Sequence, residues 1–487
     1  MKFLKNKESK QIFLSAILIV ILIALYIEIN VLIGKINIPV ADITEEKVYS
    51  LSDKTKKYIS NIQKEVNIKM VDFDEYPDYI YAIEVEDLLN QYAKENDKIK
   101  LSKDTDNSAD NKYPYVVFNC EGREYSVSLD ELYSFKYNVF NGTQEERLIG
   151  ESVVSNVINT ITTDKQDKVY IYLEKSFYNE KMLVSLINRI NGLGIDASSL
   201  NLSSDKKIPE DCKIVVIPPL ATTNENGEIV VNDLSNQEKD EFAKYINNGG
   251  NILFLQESKS IAAGETPNLD YIMSLYGLSI SDGFVLEKTN KIDDNPGYIY
   301  PQVDDKMLKS GAKVCLFDAG KINLASDEEL EKLNVKQNVL MKASNEAFIR
   351  NNVQDTSLDR SENDEDGAGA VVGVYAEKRI GDNVSKAIVY SNSLFALNSP
   401  VYINETYRNK KIALEMILMD DNEEIIADSL INLLDDDNIT YNKKIRSEVV
   451  PAVGILKDGI TLKVIFIIPI IVLIIGYAVW RYRKNKK

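Results

Sequence analysis

Val464 to Trp480 reads VIFIIPIIVLIIGYAVW, seventeen residues without a charge, and it runs directly into Arg481, Arg483, Lys484, Lys486 and Lys487. As a helix the run rises about 25 Å, and with Leu462 and a snorkelling Lys463 it approaches the ~30 Å thickness of a bilayer's hydrocarbon. A core helix of a water-soluble domain keeps a polar face. This run has none, so residues 462–480 are expected to cross a membrane, a role with which Pro469 is compatible. The other end has the same grammar: Ile12 to Ile27 is apolar and follows Lys2, Lys5, Lys7 and Lys10. No small-residue cleavage site comes after it, which predicts an uncleaved signal anchor over 12–33 rather than a cleaved signal peptide. Cationic flanks on the same side of both segments predict cytoplasmic tails at 1–11 and 481–487, with the residues between them outside.

Charge follows that division. The chain carries −18, and with +3 in residues 1–10 and +5 in residues 481–487 the remainder holds −26. So acidic a domain lacks the basic footprint that nucleic acid requires and is repelled by anionic lipid headgroups. The chain contains no histidine. Ser-His-Asp and Cys-His hydrolysis are therefore excluded, as is an imidazole base or metal ligand. No GxxxxGK[ST] cradle is present for a nucleotide phosphate, so ATP is not hydrolysed here through a P-loop. Cys120, Cys212 and Cys315 are far apart and form no CxxC, which argues against a disulfide scaffold and a zinc site. With 75 Asp and Glu, close carboxylate pairs are expected by chance, so proximity alone does not mark a glycosidase-like pair.

The region from 45 to 145 alternates as β-α-β-β-β. Ser50 and Asp53 stand at capping-box spacing before a short helix; a strand follows over Val66 to Phe73, then a helix with Tyr81, Val85, Leu88, Leu89 and Tyr92 on one face. A strand near Lys98 to Leu101 and a hairpin turning at Glu121-Gly122 complete a thioredoxin-like module without the redox dithiol. Residues 146–282 carry the strongest α/β pattern, with strands at Lys168–Leu173, Ile195–Leu202, Cys212–Pro219 and Asn251–Ser258. Helices lie between them, one opened by the Ser235/Glu238 capping box. This predicts a doubly wound parallel sheet, flavodoxin- or amidotransferase-like. Ligands of such sheets sit beyond the carboxyl ends of the strands, which here are Glu174 and Ser176, Pro218 and Pro219, and Gln256 and Glu257. A contact surface is expected there rather than an active site. Residues 283–425 read as a mixed α/β extension closed by a helix over Arg408 to Leu418, with a mobile acidic loop from Ser361 to Gly369. Residues 426–461 read as a stalk.

Several motifs then fall in one order: Tyr49-Ser-Leu-Ser-Asp-Lys-Thr55 after the anchor, Ile208-Pro-Glu-Asp-Cys-Lys-Ile-Val-Val-Ile217, Gly249-Gly-Asn-Ile-Leu-Phe254, and Ile468-Pro469 through Trp480 before a basic tail. In this the chain resembles the auxiliary, substrate-binding-like component of gliding-motility-type ABC transporters, over nearly its whole length. Ser391-Asn-Ser-Leu-Phe-Ala-Leu-Asn398 stands where that family has a GDSDF-type turn, lacking its glycine and aspartate. Glu180 is the nearest remnant of a GHGE-like turn. The resemblance thus adds Glu180, Ser391, Asn392 and Asn398 to the candidate contacts. It implies a non-enzymatic subunit without cofactor, partnered by a multi-span permease, its P-loop ATPase and the lipid bilayer. A tethered binding or sensing module and a carboxylate-based envelope hydrolase are the alternatives.

Overall fold

The computed structural model describes residues 50–106, 113–138, 143–163, 167–226, 229–261, 264–289, 291–292, 295–304, 306–309, 311–352, 354–398, 416–435 and 444–445, with isolated residues near both ends. No helix among the described residues is long and apolar enough to cross a membrane. The spans expected at 12–33 and 462–480 lie outside those residues. So does the helix expected from Arg408, save for a single 3-10 turn at Met416–Leu418. The chain divides into Met1–Ser50 and Leu51–Lys487, and both sheets described below belong to the second unit.

Helix α1 (Asp53–Ser60) is capped by Ser52, whose Oγ accepts from the Thr55 amide at 3.2 Å, not by Ser50 as its spacing suggested. Two tertiary demands move the cap: Leu51 is buried, and the Ser52 amide donates to Glu151 Oε1 at 2.8 Å. Strand β1 (Val66–Val71) turns Val66, Ile68 and Met70 inward, and α2 (Ile80–Glu95) answers with Val85, Leu88, Leu89 and Tyr92. Strands β2 (Ile99–Asp104), β3 (Tyr115–Cys120) and β4 (Arg123–Ser128) complete a four-stranded sheet of order β2-β1-β3-β4. β1 runs parallel to β2 and antiparallel to β3. β3 and β4 form the expected hairpin, and Glu121 and Gly122 both take positive φ, 52° and 85°, the pairing that a two-residue turn needs to match strand twist. Helix α3 (Gly150–Thr162) packs Val153, Val157, Ile158 and Ile161 into the same core.

The second sheet has eight strands. Its parallel part comprises β5 (Lys168–Ile171), β6 (Asp196–Ser199), β7 (Cys212–Ile217), β8 (Asn251–Leu255) and, after β9 (Val335–Lys342) and β10 (Val371–Ile380), β11 (Asn383–Tyr390). In space the parallel strands lie in the order β6-β5-β7-β8-β11, that is 2-1-3-4-5 by chain position. β10, β9 and the short strand Gln302–Val303 continue the sheet antiparallel from β11. Residues on both sides of position 282 therefore share one sheet. Alternation along the strands sends Val169, Ile214, Val216 and Leu253 to one face, with α4 (Val184–Gly192), and Val215, Ile217, Ile252 and Phe254 to the other, with α5 (Asn236–Asn247) and α6 (Pro267–Ser274). Each fully buried aliphatic side chain contributes about 1.5–3 kcal/mol.

Two expectations are corrected. Residues 426–434 are not stalk: they lie in α7 (Asn422–Leu434), whose Ile425, Ile426, Leu430 and Leu433 are buried beside α4. The apolar repeat in EIIADSLINLL outweighs the acidic residues that follow it. Nor is the acidic run from Ser361 a loose loop throughout. Asp364 pairs with the buried Arg350 at 2.8 and 3.1 Å, and Glu365–Asp366 forms a strand on Phe348–Arg350. An arginine without solvent must find its counter-charge locally.

α7 also ties the first sheet's side of the molecule to the second. Arg147, on the strand Thr143–Leu148, pairs with Glu424; Arg189 of α4 meets Glu423 at 3.0 Å; and Lys309 meets Glu424 at 2.8 Å.

Candidate functional site

The parallel strand order reverses between β5 and β7, where neighbouring crossovers leave in opposite directions and open a crevice beyond the strand ends. A cavity of about 230 Å³ occupies that place. Phe177 and Tyr178 reach it from the segment after β5, Pro219 and Leu220 from after β7, and Gln256 and Glu257 from after β8. Val231, Leu269, Met273, Ile280 and Leu394 supply apolar wall, with Ser258 and Thr266 among them. At the rim, Phe177, Ile229 and Ile261 are 38–40% exposed, while Lys259 and Asp270 form an ion pair at 2.6 Å.

The polar floor centres on Glu257. The Ser393 amide donates to its Oε1 at 2.7 Å, the Ser393 hydroxyl donates to the same oxygen, and Asn392 Nδ2 reaches Oε2 at 3.4 Å. Tyr178 and Ser393 share a 2.7 Å hydrogen bond; since the serine proton goes to Glu257, the phenol donates to the serine. Burial pushes the Glu257 carboxyl up to about 7, against the opposing pull of these donors. Burial likewise raises the Tyr178 phenol, keeping it a donor at neutral pH. Gln256 is committed to the sheet, donating from Nε2 to the Ile217 carbonyl at 2.9 Å.

Of the residues expected at the site, Pro219, Gln256 and Glu257 line the cavity, and Asn392 supports Glu257. Pro218 is buried and does not line it. Ser391 lies next to the floor but points away, donating to the Gly320 carbonyl at 2.6 Å. Glu174 accepts from the Ser203 amide at 3.0 Å, Ser176 from the Tyr178 amide at 3.2 Å, and Glu180 from the Ser199 hydroxyl at 2.7 Å; these are local ties outside the cavity. Asn398 accepts from the Ser185 amide at 2.6 Å and so pins the chain after β11 to the start of α4. Sequence reasoning missed Tyr178, Ser393 and the Lys259–Asp270 pair. Ser393 was within reach, because it sits in the Ser391–Asn398 turn at the carboxyl end of a parallel strand. Among the described residues no three carboxylates or thiols gather as a metal site.

Residues 45–142 match a domain of unknown function, DUF7088. No curated protein matches the chain. Among solved structures, the mmIFT52 N-terminal domain is similar at 12% identity and a TM-score of 0.37, over 56% of this chain and 98% of that one. The exo-β-1,4-mannosidase Op5Man5 from Opitutaceae bacterium strain TAV5 is similar at 10% identity and a TM-score of 0.24, over 46% of this chain. A β-galactosidase from Rahnella sp. R3 is similar at 10% and 0.27, over 50%. The chain spans 31% of each of these two glycosidase chains.

Proposed function

We propose that this protein is a non-enzymatic, membrane-anchored accessory subunit of an ABC transport system, its α/β ectodomain held outside and its two spans docked on a multi-span permease served by a P-loop ATPase. The observation that carries the non-enzymatic part is the commitment of the cleft's polar groups to one another. Glu257 is held by Ser393 and Asn392, Gln256 by the sheet, and Asp270 by Lys259. Hydrolysis by carboxylates needs an acid and a second carboxylate flanking one bond, and the other carboxylate among the described lining residues, Asp270, is engaged by Lys259 at the rim. The 2-1-3-4-5 parallel order with helices on both faces supports a flavodoxin-like reading of the larger sheet. The β2-β1-β3-β4 order supports a thioredoxin-like reading of the smaller one. The transport assignment draws on the ordered motifs and on the cation-flanked apolar segments at both ends. Small residues in those segments, Ser15, Ala16 and Ala24 in the first and Gly476 and Ala478 in the second, suit close approach by another helix.

Replacing Glu174 or Glu180 by glutamine is expected to leave transport within about threefold of wild type. A loss of about a hundredfold in a folded variant, the scale of general acid/base catalysis, would overturn the non-enzymatic reading. Isolation from native membranes with a permease and ATPase tests the assembly.

A further inference from the structure

We propose that the switch-point cavity binds a small molecule with an apolar body and a protonated amine, the amine seated against Glu257. This rests on the cleft being a binding site and is independent of the transporter assignment.

Charge comes first. Among the described residues, four titratable side chains line the cavity: Glu257, Tyr178, Lys259 and Asp270. Lys259 and Asp270 neutralise each other at the rim, and Tyr178 remains a phenol. Glu257 is held by amides and a hydroxyl only, and among the described residues no lysine or arginine pairs with it. Neutral donors orient a carboxylate without supplying a counter-charge, and burial makes the missing charge costly. The group that relieves this cost is a cation entering from the cavity. An anionic ligand would add to it.

Shape sets the remainder of the ligand. Phe177, Leu220, Val231, Leu269, Met273 and Ile280 surround the floor with apolar surface, so the part attached to the amine must be apolar. The volume equals about eight waters at ~30 Å³ each, room for one aromatic ring or a short branched chain with its amine but not for a peptide. The exposed rim residues Phe177, Ile229 and Ile261 give such a body its entry.

Phenethylammonium and its uncharged isostere 2-phenylethanol isolate the charge, with 3-phenylpropanoate as the anionic member. Binding to the full chain in lipid nanodiscs is measured by equilibrium dialysis against empty nanodiscs at pH 8 and pH 5.5. At pH 8 the amine is expected to bind at least tenfold more tightly than the alcohol, and the acid more weakly than either. At pH 5.5, with Glu257 protonated, the preference for amine falls below threefold. Glu257→Gln removes the preference at both pH values. The wild-type pH comparison stands even if that variant fails to fold. Equal binding of amine and alcohol at pH 8, binding of neither, or a preference retained by a folded Glu257→Gln chain overturns the proposal. Recovery of permease with the Glu257→Gln chain is scored in parallel. Loss of partners from wild-type membranes would strike the transporter reading alone, because the amine preference does not depend on them.

Discussion

Two carboxylates, Glu257 and Asp364, define what single residues do here, and they are shifted in opposite directions. Burial raises the Glu257 carboxyl to about 7, so the folded state holds a proton that the unfolded chain releases near pH 4–5. Its contribution to stability is therefore complete below the unfolded value and is lost as pH rises through about 7. Glu257→Gln keeps the shape without the titration. The difference in Tm, variant minus wild type, is expected to be more positive at pH 8 than at pH 5 by differential scanning fluorimetry; an unchanged difference would contradict the buried carboxyl. Asp364 is the reverse case. Burial alone would raise it, but Arg350 and the Ser361 amide hold it below the ordinary carboxylate range, so its contribution is present above that range and lost on acidification. Arg350 also donates to the Asp355, Ser357 and Asp359 carbonyls, organising residues 355–364. Arg350→Leu leaves Asp364 buried alone and is expected to cost about 3–5 kcal/mol in urea unfolding at pH 7. A cost under about 1 kcal/mol would show that the pair is dispensable.

At the scale of elements, local chemistry was legible wherever the signal was local. The Ser235/Glu238 capping box opens α5 as its spacing indicated, and the Glu121-Gly122 turn is where the hairpin pattern placed it. The parallel strands were readable because strands covered on both faces run apolar without interruption, as NILFL does. Elements set by distant partners were not readable. Leu51 and Glu151 shift the first cap, and Arg350 recruits a strand from what composition alone makes a loop. α7 was hidden because the acidic run that follows it at 435–437 resembles solvated stalk, whereas the helix itself buries Glu423 and Glu424 against Arg189 and Arg147 from remote parts of the chain. Where α3 crosses the turn after α4, Gly194 takes φ +75° and a Cβ there would run into the Asn156 carbonyl. Gly194→Ala combines a disfavoured φ with that clash and is expected to destabilise by more than about 1 kcal/mol. A neutral result by urea unfolding would mean that the α3–turn contact yields freely.

For the whole molecule, the candidate site was legible in place but not in membership. The rule that ligands sit beyond parallel strand ends located the crevice, and three of the ten expected residues line it. Asn392 reaches the floor only through Glu257, and several of the others point elsewhere because strand ends also carry the turns that start the next element. Glu174 and Asn398 serve those turns, and no sequence pattern distinguishes the two uses. Buried ion pairs join α7 to the strand Thr143–Leu148, through Arg147, and to α4, through Arg189. The most direct test of the account is affinity purification of the tagged full chain from native membranes in mild detergent, followed by identification of the co-purifying proteins. A multi-span permease and a P-loop ATPase are expected in fixed ratio, with recovery reduced when residues 12–33 and 462–480 are exchanged for unrelated leucine-rich spans. Recovery of the native chain alone, from membranes shown to contain both candidates, would contradict it and leave a tethered binding module.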